Sequence, residues 1–268
     1  MHSIKEILGR IEVEAPFSLK EDWDNVGLLV GDTQQKVSKV GFSLNVLSTT
    51  VASAVAEGCS LLITHHPPFF SLSSIHTGTP EGEALQRALQ NNLSILSLHT
   101  NLDRASQGIN KTLGEMLSLH KTSPLLPRDV SSLEGDGALG VLEKPLCMDA
   151  LGETLRGCWN LSWVKGYRSP CHEETHSFSQ IALVGGSGSS FWRDALSGGA
   201  ELFITGDLKY HHRLEALQNG LSLIEVDHGE MEEVAFFAIV RRWQESWGKG
   251  LAFSYIPFQS WEKPAMLL

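Results

Sequence analysis

Hydrophobic and polar positions along this chain follow two periods, and the two periods take turns. Ile4, Ile7, Leu8 and Ile11 recur at helical spacing and predict an amphipathic helix at the start. "KVGFSLNV" (39–46) alternates like a strand, "LSTTVASAVAEG" (47–58) reads as a helix closed by Gly58, and "SLLIT" is a second strand. A helix over 81–92, a strand over 93–100 and a helix over 109–119 follow. Beyond the loop-rich "TSPLLPRDVSSLEGDG", the strands "ALGVLEK" and "LSWVKGYR" flank a helix, "MDALGETLRG". The alternation resumes with strands at 180–184, 200–205, 221–226 and "LAFSYIP", separated by the helices "FWRDALSGG", one from Tyr210, and 230–247.

Strands alternating with helices predict an α/β fold whose sheets carry helices on their faces. The halves also echo each other. "GCSLLITHHPPFF" and "GAELFITGDLKYHH" each run from glycine through an apolar strand to Ile-Thr and then to polar residues; "LSILSLHTNLD" and "LSLIEVDHGEME" follow at similar distance. This predicts two similarly wound lobes, with the polar residues beyond the strands' carboxyl ends, where open α/β sheets bind ligands.

Three such strand ends carry candidate chemistry. The first is His65-His66, followed by Pro67-Pro68, which fix two φ angles and hold the histidines rigidly. Neighbouring side chains of a regular strand point to opposite faces, so the pair cannot easily grip one ion from a regular strand, and each could bind one of two ions if the strand breaks up there. The second is "LHTNLDRA", with His99 and Asp103 four apart; the third is "EVDHGEMEE", with His228 and Glu232 at i, i+4 on a predicted helix start. Asp227 reads as that helix's N-cap, and Glu230 and Glu233 as ordinary first-turn acids. Each piece alone could be a capped, solvated helix end. Together they offer a mixed nitrogen and oxygen set that suits Zn²⁺, Mn²⁺, Fe²⁺ or Ni²⁺ better than Ca²⁺ or Mg²⁺. His65, His66, Asp103, His228 and Glu232 are too many for one tetrahedral ion and fit two.

Other motifs carry less. "HEETH" (172–176) matches a zinc-protease pattern, but Ser169-Pro170 precedes it and no helical periodicity surrounds it, so a loop is expected. The turn "LVGGSGSS" could cradle an anion on its amides, although it lacks a Walker lysine. In "ITGDLKYHH", Asp207, Lys209, His211 and His212 sit at a strand end equivalent to the histidine pair, with His211 or Lys209 as candidate proton donors.

Charge and cysteine usage narrow the partners. The formal net charge of −10, with no Lys/Arg cluster, argues against nucleic acid as the main partner. The apolar run "VAFFAIV" is far short of a membrane span. Four cysteines without a C-x-x-C suit reduced thiols in the cytoplasm, and the N-terminus lacks the pattern of a secretory signal.

In order, "WDNVGLLVGD", "LLITHHPPFF", "SLHTNLD", "ITGDLKYHH" and "DHGEMEE" resemble the motifs of the Nif-three-like family, whose members are named GTP cyclohydrolase I type 2 homologues. The resemblance spans about residues 1–257. It implies two interlinked α/β lobes with a dinuclear metal cleft between them, and a ring-shaped homohexamer. Residues 1–125, completed by 229–268, would form the first lobe and 126–228 the second. Carried over by motif, the ligands are His65, His66, Asp103, His228 and Glu232, with Glu232 the bridge and His99 behind them or an occasional ligand. Relatives usually carry aspartate where this chain has Asn45, an amide without a carboxylate's charge. The function so implied is a metal-dependent hydrolase acting on a small molecule through metal-activated hydroxide; the alternative is a non-catalytic protein that handles or senses metal.

Overall fold

Ser3 opens the first helix, α1 (Ile4–Glu14), with a capping box: its hydroxyl accepts the Glu6 amide, and the Glu6 carboxylate accepts the Ser3 amide. Ile4, Ile7 and Ile11 are fully buried, as their spacing predicts. The structure, a computed structural model, describes residues 1–72, 74–247, 250–257 and 262.

Beyond α1 come β1 (Gly27–Val30), β2 (Lys39–Ser43), α2 (Ser48–Ala56), β3 (Leu61–Thr64), α3 (Pro80–Gln90) and β4 (Ser94–Ser97). Next are α4 (Thr100–Arg104), α5 (Ile109–Met116), β5 (His120–Ser123), β6 (Ala138–Cys147), α6 (Met148–Cys158) and β7 (Val164–Tyr167). The chain then forms β8 (Ser177–Leu183), α7 (Trp192–Ser197), β9 (Leu202–Thr205), α8 (Tyr210–Gln218), β10 (Ser222–Val226), α9 (His228–Ser246) and β11 (Ala252–Tyr255).

The α/β expectation is met, in two units. One comprises Met1–Leu102 with Phe236–Glu262, the other Asp103–Ala235. This division begins earlier than the boundary at 125 drawn from the sequence, because β5 hydrogen-bonds to β6 and so joins the second sheet. It also falls inside α9, whose residues from Phe236 onward belong to the first unit.

The first unit's sheet runs β11-β2-β3-β4-β1. The first four strands are parallel and β1 lies antiparallel to β4. All residues of β3 and β4 are buried, which explains the apolar Leu61-Leu62-Ile63 and Ile95-Leu96. Val51 and Ala54 of α2 and Leu85 and Ala88 of α3 pack with Leu62 and Ile95. Thr79 caps α3 by accepting the Gly82 amide, and Pro80 occupies the first turn, where its missing N–H costs nothing. Phe42 stacks on Phe253 at 4.9 Å and meets Phe236 and Trp243 of α9.

The second unit's sheet runs β7-β10-β9-β8-β6-β5. Here β8, β9 and β10 are parallel, and β7 lies antiparallel to β10. Trp192, Ala195, Phe203, Ala216 and Leu223 form its core.

The internal echo is therefore topological. Three consecutive parallel strands plus one antiparallel edge strand occur in both units, so β2, β3 and β4 correspond to β8, β9 and β10. His66 and Asp207 then occupy equivalent places two residues beyond a middle strand, and His99 and His228 two residues beyond the next one.

Candidate metal centre

In the first unit the three strand ends are level. Ser43 pairs with Thr64 and Thr64 with Ser97 across the sheet, and the Thr64 and Ser97 hydroxyls meet at 2.8 Å. Pairing continues past β3: the His66 amide donates to Leu44 O at 2.9 Å, and Leu98 N donates to Thr64 O at 2.8 Å. The chain then bends at His65-His66 ahead of the two prolines. That bend overrides strand alternation. The His65 and His66 rings lie 4.9 Å apart, and His65, His66 and His99 each bring a ligand atom into one cluster whose atoms lie within 4.8 Å of one another. His65 is fully buried.

The hydrogen bonds behind these rings decide what they can do. His65 Nδ1 faces Leu98 O at 2.8 Å. A carbonyl only accepts, so Nδ1 carries the proton and Nε2 the lone pair. His99 Nδ1 meets the Asp24 carboxylate at 2.9 Å, with the same result. His66 Nδ1 meets Asn45 Oδ1 at 2.7 Å. Each histidine is thus held in the tautomer that offers Nε2 to a cation, the usual arrangement behind metal-bound imidazoles.

Asp24 is a buried hub. One oxygen accepts from His99 Nδ1 and the Asn25 amide, the other from the Thr100 amide and hydroxyl. Burial alone would raise its pKa. The bonds from His99 and Thr100 outweigh burial and hold the carboxyl far below the usual carboxylate range.

The second unit repeats the device. Asp227 caps α9, its carboxylate accepting the Glu230 amide at 2.9 Å, so the helix starts at His228 and sets His228 and Glu232 on one face. His228 Nε2 lies 3.1 Å from Glu232 Oε2, while its Nδ1 meets Asp207 Oδ2 at 2.7 Å. Burial opposes a charge on His228, but the Glu232 and then the Asp207 carboxylates outweigh it and push its pKa up to about 10. Glu232 is buried. Asp103 is half-buried on α4 and lines a cavity of about 240 Å³ with Asn110, Lys111, Thr122 and Ser123; its carbonyl accepts from Asn110 Nδ2 at 3.0 Å.

Three sequence readings change here. Glu230 is not a solvated first-turn acid: it is 4 % exposed and accepts both the amide and the hydroxyl of Ser162. Amides of the glycine turn are already engaged, Gly185 N donating to Asn110 Oδ1 at 2.7 Å and Gly188 N to Thr205 Oγ1 at 2.9 Å, and a Cβ on Gly186 would fall 2.1 Å from Glu232 Oε1 and 3.1 Å from His228 Nε2. A carboxylate already stands against it. Asp24, absent from the sequence-based set, turns out to hold His99. "HEETH" lies in turns, as expected; His172 and His176 stack face to face at 4.2 Å instead of converging on an ion.

Gly186, at φ +66°, also adopts the left-handed conformation. Gly186→Ala is expected to displace the Glu232 carboxylate and to cost more than the roughly 1 kcal/mol of an ordinary positive-φ alanine. Thermal unfolding and metal titration of the variant check both effects. Lys209 and His211 are exposed at the start of α8; the Lys209 amide donates to Ser189 Oγ at 2.9 Å, and His211 meets the Tyr210 ring edge-on. His212 Nδ1 is 3.0 Å from Ser189 Oγ.

The donors fit divalent transition-metal ions, being imidazole nitrogens and carboxylates with their outer hydrogen bonds in place. Two of the thiols are poor competitors: burial pushes the Cys158 pKa up to about 11 and that of Cys59 above its ordinary value.

The model of the DUF34/NIF3 (NGG1p interacting factor 3) family matches residues 2–264. The chain belongs to that family. A Clostridium perfringens relative called "GTP cyclohydrolase 1 type 2 homolog" is 32 % identical over 85 % of this chain and 86 % of its own. A Clostridium acetobutylicum protein of the same name is 31 % identical over 84 % and 83 %. Among solved structures, Staphylococcus aureus protein SA1388 superposes with a TM-score of 0.89 at 22 % identity, covering 99 % of both chains. Reduced HcgD from Methanocaldococcus jannaschii gives 0.81 at 24 % identity over 96 % and 98 %. These structures share this DUF34/NIF3 fold. No helix among the described residues is long and apolar enough to cross a membrane.

Proposed function

We propose that this DUF34/NIF3 protein is a metal-dependent hydrolase of small molecules in which His65, His66, Asp103, His228 and Glu232 hold two divalent ions. The observation that carries the reading is convergence: His65, His66 and His99 each bring a ligand atom within 4.8 Å of the others while Nδ1 is committed to an oxygen, the usual arrangement behind metal-bound imidazoles, and His228 Nδ1 likewise meets Asp207. Bound ions of this kind supply Lewis acidity and bring the pKa of a coordinated water toward about 7.

The chain's own residues would do the rest. Glu232 would help hold the ions, and Asp207 and Asp24 keep His228 and His99 oriented. Lys209 or His211 supplies the leaving group's proton. Trp23 and Phe70, both exposed, pack edge-on at 5.5 Å and each contacts the His99 ring. That aromatic wall favours a planar ring as substrate, and the relatives' name puts GTP first in the screen.

The test is elemental analysis of protein purified without chelator, followed by hydrolysis assays on GTP, cyclic amides and phosphoesters with Zn²⁺, Mn²⁺, Fe²⁺ or Ni²⁺. Two ions per chain and turnover abolished by His66→Ala with Glu232→Gln support the reading. Turnover surviving that double change removes it; two bound ions without turnover would assign the protein to metal handling instead. Trp23→Ala is expected to raise KM several-fold, base–aromatic contacts being worth about 1–3 kcal/mol, while metal content stays unchanged. We assign the activity to the cytoplasm, which suits the free thiols. Self-association to a homohexamer is read by light scattering.

A further inference from the structure

Of the four restrained histidines, three face an oxygen that can only accept: a backbone carbonyl behind His65, and carboxylates behind His99 and His228. His66 is different. Its Nδ1 faces Asn45, an amide with an acceptor at one end and a donor at the other, of nearly the same shape when flipped. With Oδ1 toward His66, the ring keeps its proton on Nδ1 and presents Nε2 to a cation. With Nδ2 toward His66, Nδ1 must accept, the proton moves to Nε2, and the ring is lost as a ligand through that atom.

Asn45 Nδ2 donates to Glu262 Oε1 at 3.0 Å. An ionised carboxylate cannot donate, so flipping the amide would set Oδ1 against Glu262 oxygen to oxygen. We propose that Glu262, 217 positions from Asn45 along the chain, is a positioning residue that selects the Asn45 orientation and through it the His66 tautomer. The backbone beside Asn45 is fixed relative to His66: Leu44 is fully buried, and its carbonyl accepts the His66 amide at 2.9 Å.

The same geometry explains why an amide suits position 45. Aspartate there would accept from His66 without ambiguity but would stand beside the Glu262 carboxylate, and like charges at that distance repel. The negative charge has been moved one residue outward, and Asn45 carries its orienting effect inward. The pair is matched.

The proposal rests on His66 being a ligand, and two readouts separate its failure from the failure of that reading. The first is the nitrogen spectrum of ¹⁵N-histidine-labelled, metal-free protein, which reports the His66 tautomer whether or not metal ever binds. The second is calorimetric titration with Zn²⁺ or Mn²⁺. Wild type should show the Nδ1–H form; Glu262→Ala should show a mixture and bind about tenfold more weakly, within the range for residues behind metal ligands, at a nearly unchanged melting temperature. Asn45→Asp alone should also weaken binding, and Asn45→Asp with Glu262→Gln should restore it. An unchanged tautomer in Glu262→Ala, or equal binding by Asn45→Asp with and without Glu262→Gln, would overturn the proposal. Absence of binding by wild type would overturn the metal reading, with the tautomer still deciding the role of Glu262.

Discussion

His65→Ala is expected to lower metal affinity by more than about 100-fold, beyond the 10–100-fold that loss of a residue behind a ligand costs. The reason is that His65 cannot be replaced by its surroundings. It is fully buried, its Nδ1 is fixed on Leu98 O, and the adjacent prolines deny the backbone any adjustment that could bring another donor forward. Glu232→Gln should be similarly severe for a different reason. The amide keeps the shape but removes the charge that would hold two cations in the proposed centre, so the second ion should be lost before the first. Titration followed by elemental analysis separates the two variants: His65→Ala weakens binding overall, Glu232→Gln shifts stoichiometry from two toward one. Identical, wild-type stoichiometry and affinity in both would end the dinuclear reading. Neither variant should unfold the chain, because the cores of the two sheets lie elsewhere.

Much of the sheet architecture was legible because parallel strands buried on both faces read as short apolar runs, and "SLLIT", "LSILSL" and "AELFIT" stand out as such. The strand β1 escaped because "GLLV" is half-buried along its length and shows neither a continuous run nor a clean alternation. Likewise β5, "HKTS", is largely exposed and polar, and only its pairing with β6 makes it a strand. Edge strands owe their existence to a partner distant in sequence, so local pattern cannot reveal them.

The candidate ligands were legible for the opposite reason. Histidine beside carboxylate directly after an apolar run is uncommon enough to notice, and the i, i+4 spacing of His228 and Glu232 translated directly into a 3.1 Å approach. What stayed hidden was the layer behind them. Asp24 lies 75 residues from His99 and Glu262 lies 217 from Asn45, and no spacing rule connects such pairs. Glu230 was misread because first-turn acids are usually solvated; its burial follows from Ser162 offering two donors at once.

Asp24→Ala is expected to be among the most destabilising single changes in the first unit, at about 3 kcal/mol. The side chain is 5 % exposed, and its removal strands the Thr100 amide and hydroxyl, the Asn25 amide and His99 Nδ1, part-buried donors whose fully buried counterparts are each worth roughly 1–3 kcal/mol when left unpaired, although water entering the gap recovers part of that. Asp24→Asn should be nearly as costly, since its NH₂ end would face a donor wherever it points. The pH dependence has a definite sign. The folded-state pKa is depressed, so the contribution is fully present above the unfolded carboxyl value of about 4 and is lost as pH falls through the folded value. Denaturant melts from pH 6 down to pH 3 should therefore show wild type weakening on acidification, with a smaller slope in Asp24→Asn. Equal slopes would mean that the charge on Asp24 does not stabilise the fold. A loss of metal affinity in Asp24→Asn beyond its loss of stability would add His99 to the ions' direct partners.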